Sequence, residues 1–164
     1  MPFRAGVLTI SDKGAAGERE DTSGAAIHEL LVPIATIDRY EIIPDERPTI
    51  RARIEEWADA GSLDLIVTTG GTGLGPRDVT PEATREAIDY EVPGLAEAMR
   101  AEGLKHTPMA MLSRAVTGVR SRTLIINLPG SPKGVRENLS VVLPVLPHAL
   151  ELLRGDRSEH KPAQ

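Results

Sequence analysis

Short runs of β-branched and other apolar residues alternate along the chain with segments in which apolar residues recur every three or four positions. A continuous apolar run is typical of a strand buried in a parallel sheet, whereas the wider spacing is typical of a helix. The runs predict strands at residues 6–12, 36–43, 63–67, 115–119 and 123–128, the last two forming a hairpin. The spacing predicts helices at residues 22–31, 49–60, 80–89, 93–103 and 132–153, and a helical turn at residues 108–112.

This alternation of strands and helices predicts an α/β fold, a three-layer αβα sandwich with a mostly parallel sheet. Nothing in the sequence repeats and no linker divides it, so we expect one domain over residues 1–154. Residues 155–164 have the composition of a flexible C-terminal tail. The small, charged residues 13–21 predict a loop, and Pro144 and Pro147 predict a kink in the last helix.

The strand at residues 63–67 leads into an unusual loop, TTGGTGLGPRDVTPE, at residues 68–82. Four glycines within six residues let the backbone N–H groups approach an anionic ligand closely. Arg77 offers a positive fork for phosphate, and Asp78 offers a carboxylate for a hard cation. Thr80 and Pro81 predict the N-cap and the first position of the next helix. An ordinary turn with Asp78 as a surface residue is the alternative, but the combination favours a ligand site.

Two further polar loops also follow predicted strands directly, at residues 11–13 and 129–133. In a parallel sheet, ligands bind beyond the carboxyl ends of the strands. The three loops are therefore expected to converge at one edge of the sheet. The glycine-rich loop has neither the ending of a P-loop nor the spacing of a dinucleotide-binding turn, so the sequence does not predict a familiar nucleotide motif.

Composition and charge narrow the classes of ligand. The net charge is −5 without a basic cluster, and only 2% of residues are aromatic, so we expect no nucleic-acid partner. Cysteine is absent, which excludes disulfides and thiolate chemistry. The sequence contains no predicted signal peptide or membrane span, so we expect a cytoplasmic protein that does not bind membranes. The four histidines are scattered without metal-ligand spacing, and we expect them to be structural or exposed.

Several segments together resemble the molybdopterin-binding family of molybdenum cofactor biosynthesis. They are residues 69–73 with 77–82, residues 128–133, and the opening residues 11–12 with 21–24. The resemblance covers about residues 5–153, and a single domain of this size is similar to the MogA/MoaB type of molybdopterin adenylyltransferase. It implies transfer of AMP from ATP to the terminal phosphate of molybdopterin, with Mg²⁺ and release of pyrophosphate. It also implies a homotrimer and hand-over of the product to the molybdate-inserting protein.

The resemblance also implies roles for individual residues. Asp45 and Asp78 match family aspartates implicated in catalysis, and two carboxylates beside phosphates suit the binding of Mg²⁺. The substrate-binding residues implied are Ser11, Asp12, Thr69, Gly70, Gly71, Thr72, Gly73, Arg77, Gly130, Ser131 and Lys133. Taken one at a time, Asp45 and Ser131 could equally be capping residues and Lys133 a solvated charge.

Two other functions stay open on the sequence. The first is a non-catalytic molybdopterin-binding carrier or scaffold, since some MoaB-like members lack the activity. The second is molybdate insertion, which related domains perform as parts of much larger chains. Lys13 stands where many members have arginine, a change that keeps the charge and loses the bidentate geometry.

Overall fold

The computed structural model describes residues 2–155, and within them six strands form one sheet between two layers of helices. The strands are β1 (Phe3–Ile10), β2 (Ala35–Ile43), β3 (Leu65–Thr69), β4 (Tyr90–Glu91), β5 (Thr117–Arg120) and β6 (Thr123–Leu128). The helices are α1 (Asp12–Ala15), α2 (Thr22–Leu31), α3 (Arg47–Asp59), α4 (Thr80–Ala87), α5 (Pro93–Leu104), α6 (Pro132–Val142) and α7 (Leu146–Arg154). Two 3-10 segments lie at Pro108–Leu112 and Leu143–Val145.

The strand order is β2-β1-β3-β6-β5-β4, and β2, β1, β3 and β6 run parallel. Strands β5 and β4 continue the sheet in antiparallel pairing, so the predicted hairpin is present. The predicted α/β sandwich with a mostly parallel sheet is confirmed. The chain passes from β1 outward to β2 and then returns to the other side of β1 as β3. This reversal opens a crevice beyond the carboxyl ends of β1 and β3, where sheets of this kind bind ligands.

Each face of the sheet carries its own hydrophobic core, because successive side chains of a strand point to opposite faces. Leu65 and Val67 pack beneath α2, α5, α6 and α7, whereas Ile66 packs beneath α3 and α4. On the second face, a Cβ atom at Gly6 would lie 2.8 Å from the ring of Trp57. The glycine therefore lets the tryptophan of α3 rest directly on β1, and α3 fixes the position of the turn that precedes it.

Several local predictions are wrong. A short helix, α1, replaces the start of the loop expected at residues 13–21, with Ser11 as its N-cap. Strand β4 was not predicted, because two exposed residues carry no hydrophobic pattern. The last helix is broken into α6 and α7 by a 3-10 segment instead of kinking, since Pro144 and Pro147 both lack an amide hydrogen.

The predicted boundary of the domain falls at the end of the described chain. Gly155 caps α7 in the left-handed region, with φ of 81°. The remainder of the predicted tail, residues 156–164, lies outside the described residues. None of the described helices is long and apolar enough to cross a membrane.

Candidate active site

The three polar loops meet at the carboxyl edge of the sheet, as expected from the sequence. Thr69 Oγ1 donates a hydrogen bond to the Pro129 carbonyl at 2.6 Å, and the Gly70 amide donates to the Leu128 carbonyl at 3.1 Å. From the opposite side, Ser23 Oγ donates to the Gly130 carbonyl at 2.6 Å. The glycine-rich loop and the loop at residues 129–133 are therefore joined directly, and α2 supports them.

Glycine is required at two positions of the glycine-rich loop. Gly70 and Gly71 adopt φ of 102° and 68°, which side chains rarely accept. A Cβ atom at Gly70 would overlap the carbonyl oxygen of Ile10, and one at Gly71 would overlap Thr80 Oγ1. The loop therefore lies directly against the end of β1 and the start of α4.

Helix α4 is held to the sheet by buried polar side chains. The predicted N-cap role of Thr80 is wrong: Val79 occupies that position, and Thr80 Oγ1 instead donates to the Gly70 carbonyl at 2.9 Å. One turn later, the buried amide of Asn127 donates to Thr68 Oγ1 and Thr84 Oγ1, both at 3.0 Å. These bonds fix where the chain leaves the glycine-rich loop.

Asp12 and Asp45 are joined by two hydrogen bonds, in each of which the backbone amide of one residue donates to the carboxylate of the other. The Asp12 amide donates to Asp45 Oδ2 at 2.9 Å, and the Asp45 amide donates to Asp12 Oδ1 at 3.0 Å. This reciprocal pair follows from the register of β1 and β2, in which Ile10 lies beside Ile43. Arg77 closes on Asp12 with two hydrogen bonds, of 3.0 and 2.9 Å. These hydrogen bonds hold the pKa of Asp12 below its usual value, with Arg77 contributing most.

Asp45 lies in a different electrostatic setting. Burial raises the pKa of its carboxyl, the Asp12 amide partly opposes that rise, and the charges of Asp12 and Asp78 add to it. Asp78 itself is turned back on its loop, where Oδ2 accepts a hydrogen bond from the Gly75 amide at 2.9 Å. A cation placed among these three carboxylates would stabilise the ionised form of Asp45.

The donor set suits a metal shared with a ligand. Within residues 2–155, no group of three acidic or histidine side chains is close enough to hold a metal ion alone. Magnesium, however, is commonly bound by one or two carboxylates together with substrate phosphates and water. Asp45 and Asp78 fit that arrangement, and their metal role stays a prediction.

Two cavities flank the loop at residues 129–133. The first, of about 320 Å³, lies among α5, the segment after it and α6, and its wall is largely apolar. The second, of about 380 Å³, lies between the start of α2 and the end of β1 and is more polar. Among the predicted site residues, Thr72, Gly73, Ser131 and Lys133 line the first cavity, and Ser11, Thr69, Gly130 and Ser131 line the second. Asp12, Asp45, Gly70, Gly71, Arg77 and Asp78 line neither.

Two of the predicted anion-binding hydroxyls also cap helices. Ser131 Oγ accepts from the Gly134 amide and Ser11 Oγ from the Gly14 amide, both at 3.0 Å. Lys133 is 84% exposed and lies 3.9 Å from Glu137, at the wall of the first cavity. The capping role considered for Ser131 is confirmed, and contact of these residues with a ligand stays a prediction.

Three residues at the site were not among the predicted site residues. Asp21, in the segment of resemblance at residues 21–24, caps α2 through the Gly24 amide and lines the second cavity. It also accepts hydrogen bonds from Thr9 and Tyr40. Burial and the carboxylate of Asp21 raise the pKa of Tyr40 to about 12. His106, expected to be structural or exposed, lines the first cavity. Arg114 contacts the glycine-rich loop, and no local pattern around it indicated this.

Comparison with known proteins identifies relatives of the whole fold. The profile of a probable molybdopterin-binding domain matches residues 6–148. A Helicobacter pylori protein named molybdopterin adenylyltransferase is 46% identical over 156 residues, covering 92% of this chain and 88% of that protein. The crystal structure of the molybdopterin biosynthesis enzyme MoaB from Thermus thermophilus is 63% identical, with a TM-score of 0.88, covering 94% of this chain and 98% of that one. A structure of MogA is 43% identical, with a TM-score of 0.87, covering 92% and 99%.

Proposed function

This chain belongs to the family of the probable molybdopterin-binding domain, and from that membership we propose that it is an adenylyltransferase of molybdenum cofactor biosynthesis. Its substrates are ATP and molybdopterin, and its products are adenylyl-molybdopterin and pyrophosphate. A phosphate oxygen of molybdopterin forms the new bond to the α-phosphorus of ATP, while the bond between the α- and β-phosphates breaks. The substrate supplies the nucleophile, so the absence of cysteine is no obstacle.

The juxtaposition of the two cavities is the observation that carries this proposal. Reaction between two bulky substrates needs two sites with a common boundary, because the reacting atoms must approach to within about 3–3.5 Å. Ser131 lines both cavities, and the loop that bears it is bonded to the glycine-rich loop through Thr69 and Gly70. The substrate phosphates are proposed to lie along this boundary, facing backbone N–H groups of both loops.

The acidic residues are proposed to act on the negative charge of the phosphates during the transfer, by binding a cation. Phosphoryl-type transfer depends on positioning and on neutralising the phosphate oxygens. Asp45 and Asp78 would hold magnesium, and the ion would supply that neutralisation as a Lewis acid. Arg77 donates two hydrogen bonds to Asp12, so its guanidinium is proposed to keep the Asp12–Asp45 pair in place before a substrate binds. When a substrate binds, the guanidinium is proposed to turn towards its phosphate.

Two further parts of the proposal rest on the resemblance described above. The chain is proposed to assemble as a homotrimer in the cytoplasm and to hand its product to the molybdate-inserting protein. Light scattering of the purified protein tests the assembly, with a mass three times that of the chain as the expected result. A monomer that retains full activity would overturn it.

Pyrophosphate release tests the activity itself. Wild-type protein and Asp78→Asn are incubated with ATP and magnesium, with and without purified molybdopterin. Release is expected only with molybdopterin, and the variant is expected to lose at least about 100-fold in kcat while binding the pterin with little change. Pterin binding by titration without any release would favour the non-catalytic carrier, and full turnover by the variant would remove Asp78 from the mechanism.

A further inference from the structure

The side chain of Arg114 binds both ends of the exposed part of the glycine-rich loop, residues 73–78. It follows the 3-10 segment and precedes β5, far along the chain from the residues it contacts. Its Nε donates to the Gly73 carbonyl at 2.9 Å, and one terminal nitrogen donates to the Asp78 carbonyl at 2.8 Å. The other terminal nitrogen pairs with Glu82 on α4.

The backbone of Arg114 adds a fourth bond to the same loop. Its amide donates to the Thr72 carbonyl at 2.9 Å. Within residues 73–78, the loop's own hydrogen bonds close a tight turn, in which the Asp78 amide donates to the Gly75 carbonyl at 3.0 Å and the Gly75 amide donates to the Asp78 carboxylate at 2.9 Å. That turn fixes Asp78 relative to Gly75, and the two hydrogen bonds from Arg77 to Asp12 attach the turn to the segment that follows β1. The bonds from Arg114 attach the same turn to the segment that precedes β5.

We propose that Arg114 is a positioning residue for the adenylyl transfer: its guanidinium fixes the part of the glycine-rich loop that carries the Asp78 carboxylate. This inference rests on the function proposed for Asp78. The planar guanidinium has donors in a fixed fork, so it holds two carbonyls and a carboxylate at set distances from one another. A lysine at this position would keep the positive charge beside Glu82 and lose the fork.

The segment that bears Arg114 also walls the first cavity. Met109, Leu112 and Ser113 line that cavity, directly before the arginine. A substrate that packs against this wall therefore presses on the same short segment that holds Asp78.

The chain offers a matched control at the other end of α4. Arg120, like Arg114, makes three side-chain hydrogen bonds: two of 2.9 Å to the Asp59 carboxylate and one of 2.7 Å to the Ala87 carbonyl. Its side chain is 24% exposed, against 32% for Arg114. Loss of either arginine removes a similar set of contacts with α4 or its neighbours, but only Arg114 touches the glycine-rich loop.

The test compares Arg114→Lys, Arg114→Met and Arg120→Met in pyrophosphate release, beside wild type and Asp78→Asn. Both Arg114 variants are expected to lose about 100-fold in kcat with KM changed less than about threefold, because a small misplacement of a reacting group has effects of that size. Arg120→Met is expected to keep wild-type kcat at a temperature where it is folded. Added guanidinium, at a concentration that leaves the fold intact, is expected to restore part of the activity of Arg114→Met and none of that of Asp78→Asn.

A second readout does not depend on activity. In amide NMR spectra, the Leu74 and Val79 amides follow the two carbonyls that the Arg114 guanidinium binds. Their resonances are expected to shift in the Arg114 variants and to stay in place in Arg120→Met. Unchanged kcat in Arg114→Lys, or a rise in KM alone, would overturn the inference; if the Met variant does not fold, the Lys variant carries the test. Inactive wild type or fully active Asp78→Asn would instead refute the proposed function, whatever Arg114 does.

Discussion

Asp64 lies at the amino edge of the sheet and Asp45 at the carboxyl edge. Both aspartates are partly buried, but their surroundings shift the pKa of the two carboxyls in opposite directions. Arg154 donates to both carboxylate oxygens of Asp64 at 2.8 Å, and the Arg4 amide adds a third bond of 2.8 Å. Asp45 accepts a hydrogen bond from the Asp12 amide, and its charged neighbours are the carboxylates of Asp12 and Asp78 and, as the smallest influence, the guanidinium of Arg77.

The pKa shifts of the two carboxyls follow that difference. Burial alone would raise the pKa of Asp64, but the hydrogen bonds and charges of Arg154 and Arg4 outweigh burial and lower it. At Asp45 burial is reinforced by like charges, and the pKa is raised. Asp64 is bonded directly to a cation of the chain, Arg154, whereas Asp45 is influenced more by carboxylates than by Arg77 and is therefore suited to receive a cation from outside.

The largest expected effect is on catalysis at Asp45. Asp45→Asn keeps an oxygen that can accept from the Asp12 amide and removes the charge that would hold magnesium. We expect kcat for pyrophosphate release to fall by about 100- to 1,000-fold, because electrostatic groups at the reacting phosphates contribute effects of that order. Asp64→Asn, assayed while folded, is the control and is expected to retain wild-type turnover. Equal losses of kcat in the two variants would contradict the assignment of a catalytic role to Asp45 and a structural role to Asp64.

The next effect is on stability at Asp64. Asp64→Asn is expected to lower the free energy of unfolding by about 2 kcal/mol at pH 7, since hydrogen bonds to charged groups contribute about 1.5–3 kcal/mol. Urea unfolding measures this difference. Because the folded pKa of Asp64 is lowered, its contribution is present above the unfolded value of 3.8 and is lost as the pH falls through the folded value. The difference between wild type and variant should therefore shrink below about pH 4.

The smallest expected effect has the opposite sign. In magnesium-free buffer at pH 7, Asp45→Asn is expected to raise the free energy of unfolding by about 0.5–1 kcal/mol, as happens when a functional group held at some cost to stability is replaced. The raised pKa of Asp45 means that its ionised form opposes folding at this pH. A clear loss of stability would show that Asp45 supports the fold as Asp64 does.

The fold could be predicted from the sequence wherever hydrophobic pattern decides the structure. The parallel strands and the convergence of their loops follow from buried runs such as residues 65–69, because parallel strands bring their carboxyl ends to one edge. Strand β4 could not be predicted in this way, because Tyr90 and Glu91 are both exposed and pair with β5 only through backbone hydrogen bonds. The hydroxyl of Thr80 suggested a cap, but its real partner, the Gly70 carbonyl, is set by the turn that the glycines make.

The candidate site was predictable to a similar extent. Residues such as Gly70 and Ser131 could be proposed as site residues because each belongs to a motif that is contiguous in the sequence. Arg114 could not be, since its side-chain partners lie 32 to 41 residues away and nothing adjacent to it signals them. The pairing of Asp12 with Asp45 likewise depends on strand register, which the sequence does not specify by itself.

The buried amide of Asn127 separates two motions at the carboxyl edge of the sheet: local opening of the glycine-rich loop and opening of the sheet itself. It ties β6 to Thr68 and Thr84 and accepts a hydrogen bond from the Val116 amide at 3.1 Å, all within the core. Opening of residues 73–78 breaks none of these bonds, so the loop can fluctuate while α4 stays docked. In hydrogen exchange, the loop amides should exchange by small local openings, and the Val116 amide only when the sheet itself comes apart.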